Sequence, residues 1–179
     1  MDSGRKVKLK DGREVLIRFL QKGEDPKELC NYINSLVEED SAITLDEFQT
    51  PESEAAWLEA MLQAQVMGRA VYLVAEHEGR KVAGANASRG MWRERDNVIL
   101  GIAIVKDFRG VGLGEILMKE LIDRARALSP RNIFLMVFEG NDRAIALYKK
   151  LKFREIGRLP GWVRWKGKYV DHIYMLLED

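Results

Sequence analysis

The chain has 179 residues, and its 29 basic and 28 acidic residues leave a formal net charge of +1, which argues against an electrostatically driven nucleic-acid-binding protein. Hydrophobic residues make up 46% and charged residues 32%, a balance typical of a folded soluble domain and not of a disordered chain. A single cysteine excludes an intrachain disulfide, and two histidines far apart in sequence argue against a metal site.

The first predicted element is a β-hairpin over Lys6 to Leu20, where hydrophobic and polar residues alternate on both sides of Asp11-Gly12. That dipeptide is typical of a type I′ turn between antiparallel strands. The basic residues before it alternate with Val7 and Leu9, so we expect them to form the solvated face of a strand.

Two helices are predicted next, and each begins with an N-capping residue followed by proline. Asp25-Pro26 begins the first helix, and Thr50-Pro51 begins the second, which we expect to continue to about Met67. Helical spacing predicts two buried faces, namely Leu29, Ile33, Leu36 and Val37 on the first helix and Trp57, Leu58, Met61, Leu62 and Val66 on the second.

The spacing of apolar residues changes from helical to extended after the second helix. The turn Glu78-Gly79-Arg80 separates the segments AVYLVAEH (70–77) and KVAGANAS (81–88), which we expect to pair as antiparallel strands. The segment Val98 to Val105 is nearly all apolar and suits a central strand that is buried on both faces.

The rest of the chain alternates helices with strands. An amphipathic helix is predicted from Leu113 to Leu128 and ends before Pro130, and Asn132 to Phe138 is the next strand. Asn141 is expected to cap a short helix that ends at about Leu151.

Two further extended segments are predicted near Phe153–Arg158 and Tyr169–Leu177. We see no linker or internal repeat, so we expect a single domain over residues 1–179. The first residues, MDSGRKVKLK, contain no apolar segment, and no run elsewhere reaches membrane-spanning length, so we expect a cytoplasmic protein without membrane contact.

The segment RGVGLG, Arg109 to Gly114, lies between the buried strand and the amphipathic helix. One glycine suffices for a turn, whereas three of them in front of a helix favour an anion site built from backbone N–H groups. The dinucleotide fingerprint G-x-G-x-x-G fails because Glu115 or Leu117 takes its last position, and no Gly-Lys-Ser/Thr completes a nucleotide P-loop. A tight turn without a ligand is the alternative.

Two motifs follow one another here. Arg109, Gly112 and Gly114 form an Arg-x-x-Gly-x-Gly pattern, and the second motif comprises Asn141, Ala144, Ile145, Leu147, Tyr148 and Phe153. With both, the chain from about Val71 to Leu177 resembles the GNAT superfamily of N-acetyltransferases. The resemblance implies an α/β fold, with a mixed, mostly antiparallel twisted sheet of about seven strands and helices on both faces.

The resemblance also implies a binding site for acetyl-CoA, the acetyl donor, without a metal. The pyrophosphate would lie on the backbone of Arg109, Gly110, Val111, Gly112, Leu113 and Gly114. The pantetheine arm would bond to Ile104 and Val105 and be held by Asn141, with Tyr148 near the sulfur as general acid.

Helical geometry supports the pairing of Asn141 with Tyr148, because residues seven apart share a helix face at a separation of about 10 Å. A tyrosine with a pKa of about 10 can protonate a departing thiolate whose conjugate acid has a pKa of about 8.5. The alternative is that Tyr148 is a core aromatic beside Ala144 and Leu151.

The general base is left unassigned by the sequence. Many relatives carry an acidic residue on the strand before the glycine-rich segment, but Val98 to Val105 has none. A water chain or one of six side chains could accept the proton, and each of the six also fits an ordinary surface charge: Glu76, Glu78, Glu94, Asp96, Asp171 and His172.

We therefore expect direct transfer of acetyl from acetyl-CoA to a primary amine, which would be a peptide or protein N-terminus or a small-molecule amine. A non-catalytic acyl-CoA-binding sensor and an acyltransferase with a longer acyl chain are the alternatives. Trp92, Trp162 and Trp165 are placed in loops on the acceptor side, where a substrate rim, a homodimer contact and ordinary packing all remain open.

Overall fold

Eight strands and four α-helices make up the described part of the chain, residues 4–178 of a computed structural model. The strands are β1 (Arg5–Lys8), β2 (Glu14–Phe19), β3 (Ala70–His77), β4 (Arg80–Arg89), β5 (Asn97–Ile104), β6 (Asn132–Phe138), β7 (Phe153–Trp165) and β8 (Lys168–Leu177). The helices are α1 (Pro26–Glu38), α2 (Pro51–Val66), α3 (Leu113–Arg126) and α4 (Asp142–Lys150), and short 3₁₀ turns lie at Trp92–Glu94 and Lys106–Phe108. The expectations drawn from the first residues fall partly on residues 1–3, which lie outside this range.

The strands form one sheet in the order β1-β2-β3-β4-β5-β6-β8-β7. Every neighbouring pair is antiparallel except β5 and β6, which are parallel because α3 carries the chain back across the sheet between them. The predicted α/β fold with a mixed, mostly antiparallel sheet is confirmed, with eight strands where about seven were expected.

Helices cover both faces of this sheet, as predicted. The layer under α3 and α4 includes Ala83, Ala85, Ala87, Leu117, Leu121 and Tyr148. The layer under α1 and α2 includes Leu20, Leu29, Leu58 and Val74. Because side chains alternate between the faces of a strand, odd-numbered β4 residues point towards α3 and even-numbered ones towards α1 and α2. We call the two sides the α3 face and the α1/α2 face.

The predicted helix starts are confirmed by their caps. The Asp25 side chain accepts the N–H of Lys27, and Thr50 and Ser53 form a reciprocal capping box at the start of α2. The expected burial of Val66 is wrong, since it is 89% exposed, at the end of α2 and away from the sheet.

The hairpin is confirmed, with Val7 opposite Val15, but its predicted type I′ turn is wrong. A type I′ turn needs positive φ at both central residues, and only Gly12, at +90°, has it. Leu9 accepts the N–H of Gly12 at 3.0 Å and donates to the carbonyl of Arg13 at 2.8 Å, which describes a longer turn closed by a glycine bulge.

Two strands differ from their predicted form. Only Val98 and Leu100 of β5 are buried, because β6 diverges from β5 beyond them and leaves the rest half-covered. Strand β7 extends to Trp165 instead of ending near Arg158, since its pairing with β8 resumes beyond a bulge at 159–163.

Candidate active site

The sheet opens between its two parallel strands. Pairing of β5 with β6 begins at Asn97–Asn132 and stops at Leu100–Leu135, although β5 continues to Ile104. A cavity of about 780 Å³ lies at this opening. The separated strand edges carry backbone groups that an extended ligand can bond as a neighbouring strand would.

The backbone groups of β5 point alternately towards β4 and into the gap. The N–H of Val105 donates to the carbonyl of Val82 on β4 at 3.0 Å, so it is directed away from the gap. By the same alternation Ile102 and Ile104 face the gap, where the carbonyl of Ile104 accepts Nε of Arg109 at 2.7 Å. The structure thus brings Ile104 to the predicted path of the pantetheine arm and turns the N–H of Val105 away from it.

The glycine-rich segment forms one end of the cavity. Gly110 and Gly112 have φ of +80° and +94°, and Gly112 directly precedes α3. A Cβ atom at Gly114 would lie 3.3 Å from both Ile104 Cδ1 and Leu147 Cδ2, so a side chain there would fill the space between α3, α4 and β5. Glycine at 114 therefore lets α3 pack closely against β5 and α4, while all three glycines line the cavity.

This end of the cavity suits an anion. The first N–H groups of α3 have no helical acceptors, and the helix dipole adds partial positive charge there. The side chains of Val111 and Leu113 pack in the core, so only their backbone groups are available at this end. Cationic side chains flank the glycines: Arg143 Nη1 lies 3.6 Å from a Cβ built at Gly110, and Lys10 lies 3.5 Å from one built at Gly112.

Neighbouring side chains hold the glycine-rich segment in place. The backbone N–H of Lys10 donates to the carbonyl of Val111 at 3.0 Å, so the β1–β2 turn contacts the segment directly. The guanidinium of Arg109 bonds to Ser41 Oγ at 2.8 Å and forms an ion pair with Glu39. The Arg109 side chain therefore fixes the segment to the end of α1, while its backbone role stays a prediction.

Asn141 and Tyr148 line the cavity from the two ends of α4. Asn141 lies at the N-cap position, but its side chain does not cap the helix. The Tyr148 ring packs against Phe153 at 6.0 Å, whereas its hydroxyl has no hydrogen-bond partner among residues 4–178 and is not sealed from the cavity. Burial raises the pKa of Tyr148 to about 12, so the hydroxyl keeps its proton at neutral pH.

The other end of the cavity lies on the α1/α2 face and contains a buried carboxylate. Glu54, in the first turn of α2, is 9% exposed and lines the cavity. Tyr72 lies beside it, with its hydroxyl packed against Gly84 and its ring edge-on to Trp57 at 5.1 Å. Burial raises the pKa of Glu54 and, together with the Glu54 charge, that of Tyr72.

The end of the cavity that contains Glu54 is called the acceptor end below, after the predicted amine acceptor. Its floor is made of small residues. Gly84 on β4 pairs with Ala103 on β5, and Asn86 pairs with Gly101. The Asn86 side-chain oxygen lies 2.7 Å from a Cβ built at Gly101, so its amide occupies the space that a side chain there would need. The two glycines therefore make room for the Tyr72 and Asn86 side chains, which line this end of the cavity.

Sequence reasoning missed Glu54, Tyr72 and Asn86. One signal was available, because Glu54 precedes Leu58 by four residues and so lies on the predicted buried face of α2. An acidic residue in the first turn of a helix is normally explained by its favourable interaction with the helix dipole. Because that explanation does not require burial, the sequence does not predict that Glu54 is buried.

Of the six candidate bases, His172 lines the cavity. It is 5% exposed between the rings of Phe138 and Tyr174, and burial lowers its pKa, so the imidazole is neutral at neutral pH and can accept a proton. Glu76 is paired with Arg18 and Lys81, and Asp171 with Arg158, while the exposed Glu78, Glu94 and Asp96 lie outside the cavity lining.

The three tryptophans have different surroundings. Trp92 is 80% exposed in a 3₁₀ turn, and Trp162 is 67% exposed on β7. Trp165 donates Nε1–H to the carbonyl of Asp40 at 2.8 Å and packs edge-on to Phe138 at 5.8 Å. The expected loop position is therefore wrong for Trp162 and Trp165, because β7 continues through both.

Residues 4–178 contain neither a membrane-spanning helix nor a cluster of metal-binding side chains. No helix there is long and apolar enough to cross a bilayer. Within the same residues, no three His, Cys, Asp or Glu side chains are grouped so that they could hold a metal ion.

Comparison with known sequences gives a family match. The model of the acetyltransferase (GNAT) family matches residues 33–153. The L-amino acid N-acyltransferase of Escherichia coli is 30% identical over 166 residues, which cover 90% of this chain and 92% of that protein. The L-methionine sulfoximine/L-methionine sulfone acetyltransferase of Pseudomonas aeruginosa is 34% identical over 109 residues, covering 59% of this chain but only 63% of that protein's length.

Solved structures share the fold over most of their length. An acetyltransferase of Salmonella typhimurium, solved with its cofactor acetyl-CoA, has a TM-score of 0.79 and 26% identity, covering 92% of this chain and 93% of its own. The ribosomal-protein-alanine N-acetyltransferase of Brucella melitensis has a TM-score of 0.78 and 29% identity, covering 90% and 98%. These proteins share the open sheet described above.

Proposed function

The chain belongs to the acetyltransferase (GNAT) family, whose members are acetyl-CoA-dependent N-acetyltransferases. From that premise we propose that it transfers acetyl to a small primary amine or to a peptide N-terminus. The observation that carries the proposal is the gap between β5 and β6, with an anion-binding backbone at one end and a buried carboxylate at the other. One cavity thus joins a site for a phosphate-bearing donor to a site for an amine.

The residues present fit acetyl-CoA. The backbone of Gly110, Gly112 and Gly114 would hold the pyrophosphate, because no side chain blocks access to the N–H groups at the start of α3. The gap-facing backbone of Ile104 and the side-chain amide of Asn141, which does not cap α4, would bond the pantetheine arm. Acetyl-CoA supplies an acetyl group that is activated as a thioester.

Transfer requires two proton movements, and the cavity offers a group for each. The amine nitrogen forms a bond to the acetyl carbon as the carbon–sulfur bond breaks, and the Tyr148 hydroxyl protonates the departing thiolate. The proton lost by the amine passes to the neutral imidazole of His172, directly or through water. Gap-facing N–H groups of β5 polarise the acetyl carbonyl.

The test is release of free thiol from acetyl-CoA in the presence of a panel of amines that includes amino acids, amino-acid amides, polyamines and short peptides. Turnover with any of them supports the proposal. Binding of acetyl-CoA without turnover favours the acyl-CoA sensor. The observation that supports this alternative is that β5 has no acidic residue. Faster turnover with a longer acyl donor favours the third alternative.

A cytoplasmic location, a single domain and a homodimer belong to the same proposal. Trp162 is 67% exposed on the edge strand β7, Tyr169 is 75% exposed on the neighbouring strand β8, and we propose that they contact a second copy. Light scattering after size-exclusion chromatography, on the wild type and on Trp162→Ser, tests the dimer.

A further inference from the structure

The acceptor end of the cavity holds a negative charge that the protein does not neutralise. Within residues 4–178 the Glu54 carboxylate forms no ion pair and no side-chain hydrogen bond, although it is more than nine-tenths buried. Its oxygens are not sealed in the protein but open to the cavity. A buried carboxylate without a partner is costly unless a ligand supplies the missing positive charge.

The cations that line the cavity lie elsewhere. Its only Lys or Arg side chains among the described residues are Arg109 and Arg143. Arg143 lies beside Gly110 at the phosphate end, and the guanidinium of Arg109 is already paired with Glu39. Among residues 4–178, no Lys or Arg side chain of the acceptor end is placed to neutralise a carboxylate on the acceptor.

The groups around Glu54 suit an ammonium-bearing molecule that has an apolar part and no negative charge. Trp57 and Tyr72 form an aromatic corner beside it. The Tyr32 hydroxyl is engaged with the carbonyl of Ala103 at 2.9 Å and so presents mainly its ring. Leu29, which belongs to the same apolar cluster as Trp57 and Tyr72, also lines the cavity.

We propose that Glu54 binds the ammonium group of the acceptor and thereby selects amines with no negative charge next to the amine, such as amino-acid amides and peptide N-termini, over free amino acids. The inference rests on the proposed acetyltransferase function and names its acceptor class. In a free amino acid the carboxylate is attached to the carbon that bears the amine. When its ammonium group binds Glu54, the carboxylate of the amino acid therefore comes close to the Glu54 carboxylate. Like charges brought together in a desolvated site oppose binding.

The experiment compares L-methioninamide with L-methionine, which share a side chain and differ in the charge next to the amine. Initial rates of thiol release from acetyl-CoA give kcat/KM for both with the wild type, Glu54→Gln and Glu52→Gln. Glu52 is exposed in the same turn of α2 and lies outside the cavity lining, so it controls for loss of a charge near the helix start.

We expect the wild type to prefer the amide at least about tenfold, and Glu54→Gln to reduce that preference by about tenfold through loss of amide turnover. Because the amide also has the lower amine pKa, the change of the ratio in Glu54→Gln, not the ratio itself, isolates the charge. Glu52→Gln should keep the wild-type ratio, and Glu54→Asp, which keeps the charge, should retain a preference for the amide.

An unchanged ratio in Glu54→Gln, or a wild type that prefers free methionine, would overturn the inference and leave the acetyltransferase proposal intact. Absence of thiol release with every amine would contradict the proposed function instead. In that case calorimetric titration of L-methioninamide into the wild type and Glu54→Gln still tests Glu54, since the inference requires weaker binding to the variant and is overturned by equal binding.

Discussion

The two ends of the cavity are built in different ways. At the donor end, where we propose that acetyl-CoA binds, one short segment, Arg109 to Gly114, carries backbone N–H groups at the start of α3, and three of its residues have no side chain. At the acceptor end, the functional groups are side chains, and Glu54, Tyr72, Asn86 and His172 come from α2, β3, β4 and β8. The donor end is a local structure, whereas the acceptor end exists only after the sheet has formed.

This difference has a physical consequence for specificity. A backbone site suits the part of a ligand that never changes, which in our proposal is the pyrophosphate of acetyl-CoA, because backbone groups are the same whatever the side chains are. A side-chain site can be altered one residue at a time without disturbing the glycine turn. Fold and donor can therefore be shared with relatives while the acceptor differs.

The largest expected effect comes from placing a side chain at the donor end. Gly112→Val adds a side chain beside Lys10 at the start of α3, where we propose that the phosphates bind, at a residue with φ of +94°. Loss of two charge-assisted hydrogen bonds, at about 2 kcal/mol each, should weaken acetyl-CoA binding roughly 1,000-fold. Isothermal titration calorimetry measures it directly.

The effect of Gly112→Val on stability must be measured separately from its effect on acetyl-CoA affinity, because valine at positive φ strains the backbone anywhere. Gly79→Val provides the control: Gly79 has φ of +78° in the β3–β4 turn, with no atom within 4 Å of a built Cβ. Similar thermal unfolding of both variants, with affinity lost only in Gly112→Val, is the expected pattern. Unchanged affinity in Gly112→Val would remove the donor site from this segment.

Tyr148 lines the cavity, and its replacement should affect chemistry without affecting binding. Tyr148→Phe removes a hydroxyl that has no hydrogen-bond partner in the described part of the chain, so little stability should be lost. We expect kcat to fall about 100-fold with acetyl-CoA affinity nearly unchanged. The exposed Tyr169 offers the matched control, Tyr169→Phe.

The pH profile provides a second check on Tyr148. Because its pKa is raised to about 12, the hydroxyl should stay protonated throughout the range in which the enzyme is stable, and no loss of rate at moderately alkaline pH should come from it. Retention of most of the wild-type kcat by Tyr148→Phe would show that the residue is only a core aromatic.

His172 should have a smaller effect, because water can also accept the proton of the amine. His172→Asn is expected to lower kcat about tenfold. The imidazole must be neutral to act as a base, and burial lowers its pKa, so the wild-type rate should fall only as pH drops through a value below about 6.5. Loss of that acidic limb in His172→Asn, but not in His77→Asn, would assign the limb to His172.

The sequence was sufficient for the elements whose signals are local. Asp25-Pro26 and Thr50-Pro51 start their helices as predicted, and the two segments around Glu78-Gly79-Arg80 pair as predicted. It was insufficient where tertiary contacts decide the outcome. The burial of β5 depends on where β6 diverges, and the length of β7 depends on how far β8 can pair with it.

The same distinction applies within the site. The glycine-rich segment is visible in sequence because its spacing is fixed by one turn and one helix start. Glu54 and Asn86 are far apart in the chain and line one cavity only because α2 packs over β3, the neighbour of β4 in the sheet. The direction of Val105 also depends on tertiary structure, since it follows from the register of β5 with β4.

The smallest expected effect tests whether the acceptor end can be loosened by itself. The Thr50 side chain accepts the N–H of Ser53 at 3.2 Å at the start of α2, one turn before Glu54. Thr50→Ala should cost about 1 kcal/mol of stability, and fraying of this turn should raise KM for L-methioninamide about three- to fivefold. Acetyl-CoA affinity should not change, because no part of α2 contacts the glycine-rich segment through a hydrogen bond or an ion pair in residues 4–178.

Asp25→Ala removes the corresponding cap of α1 and should cost similar stability without moving Glu54. If both variants raised KM equally, general destabilisation would explain the effect, whereas a rise confined to Thr50→Ala would show that the first turn of α2 positions the acceptor independently of the donor.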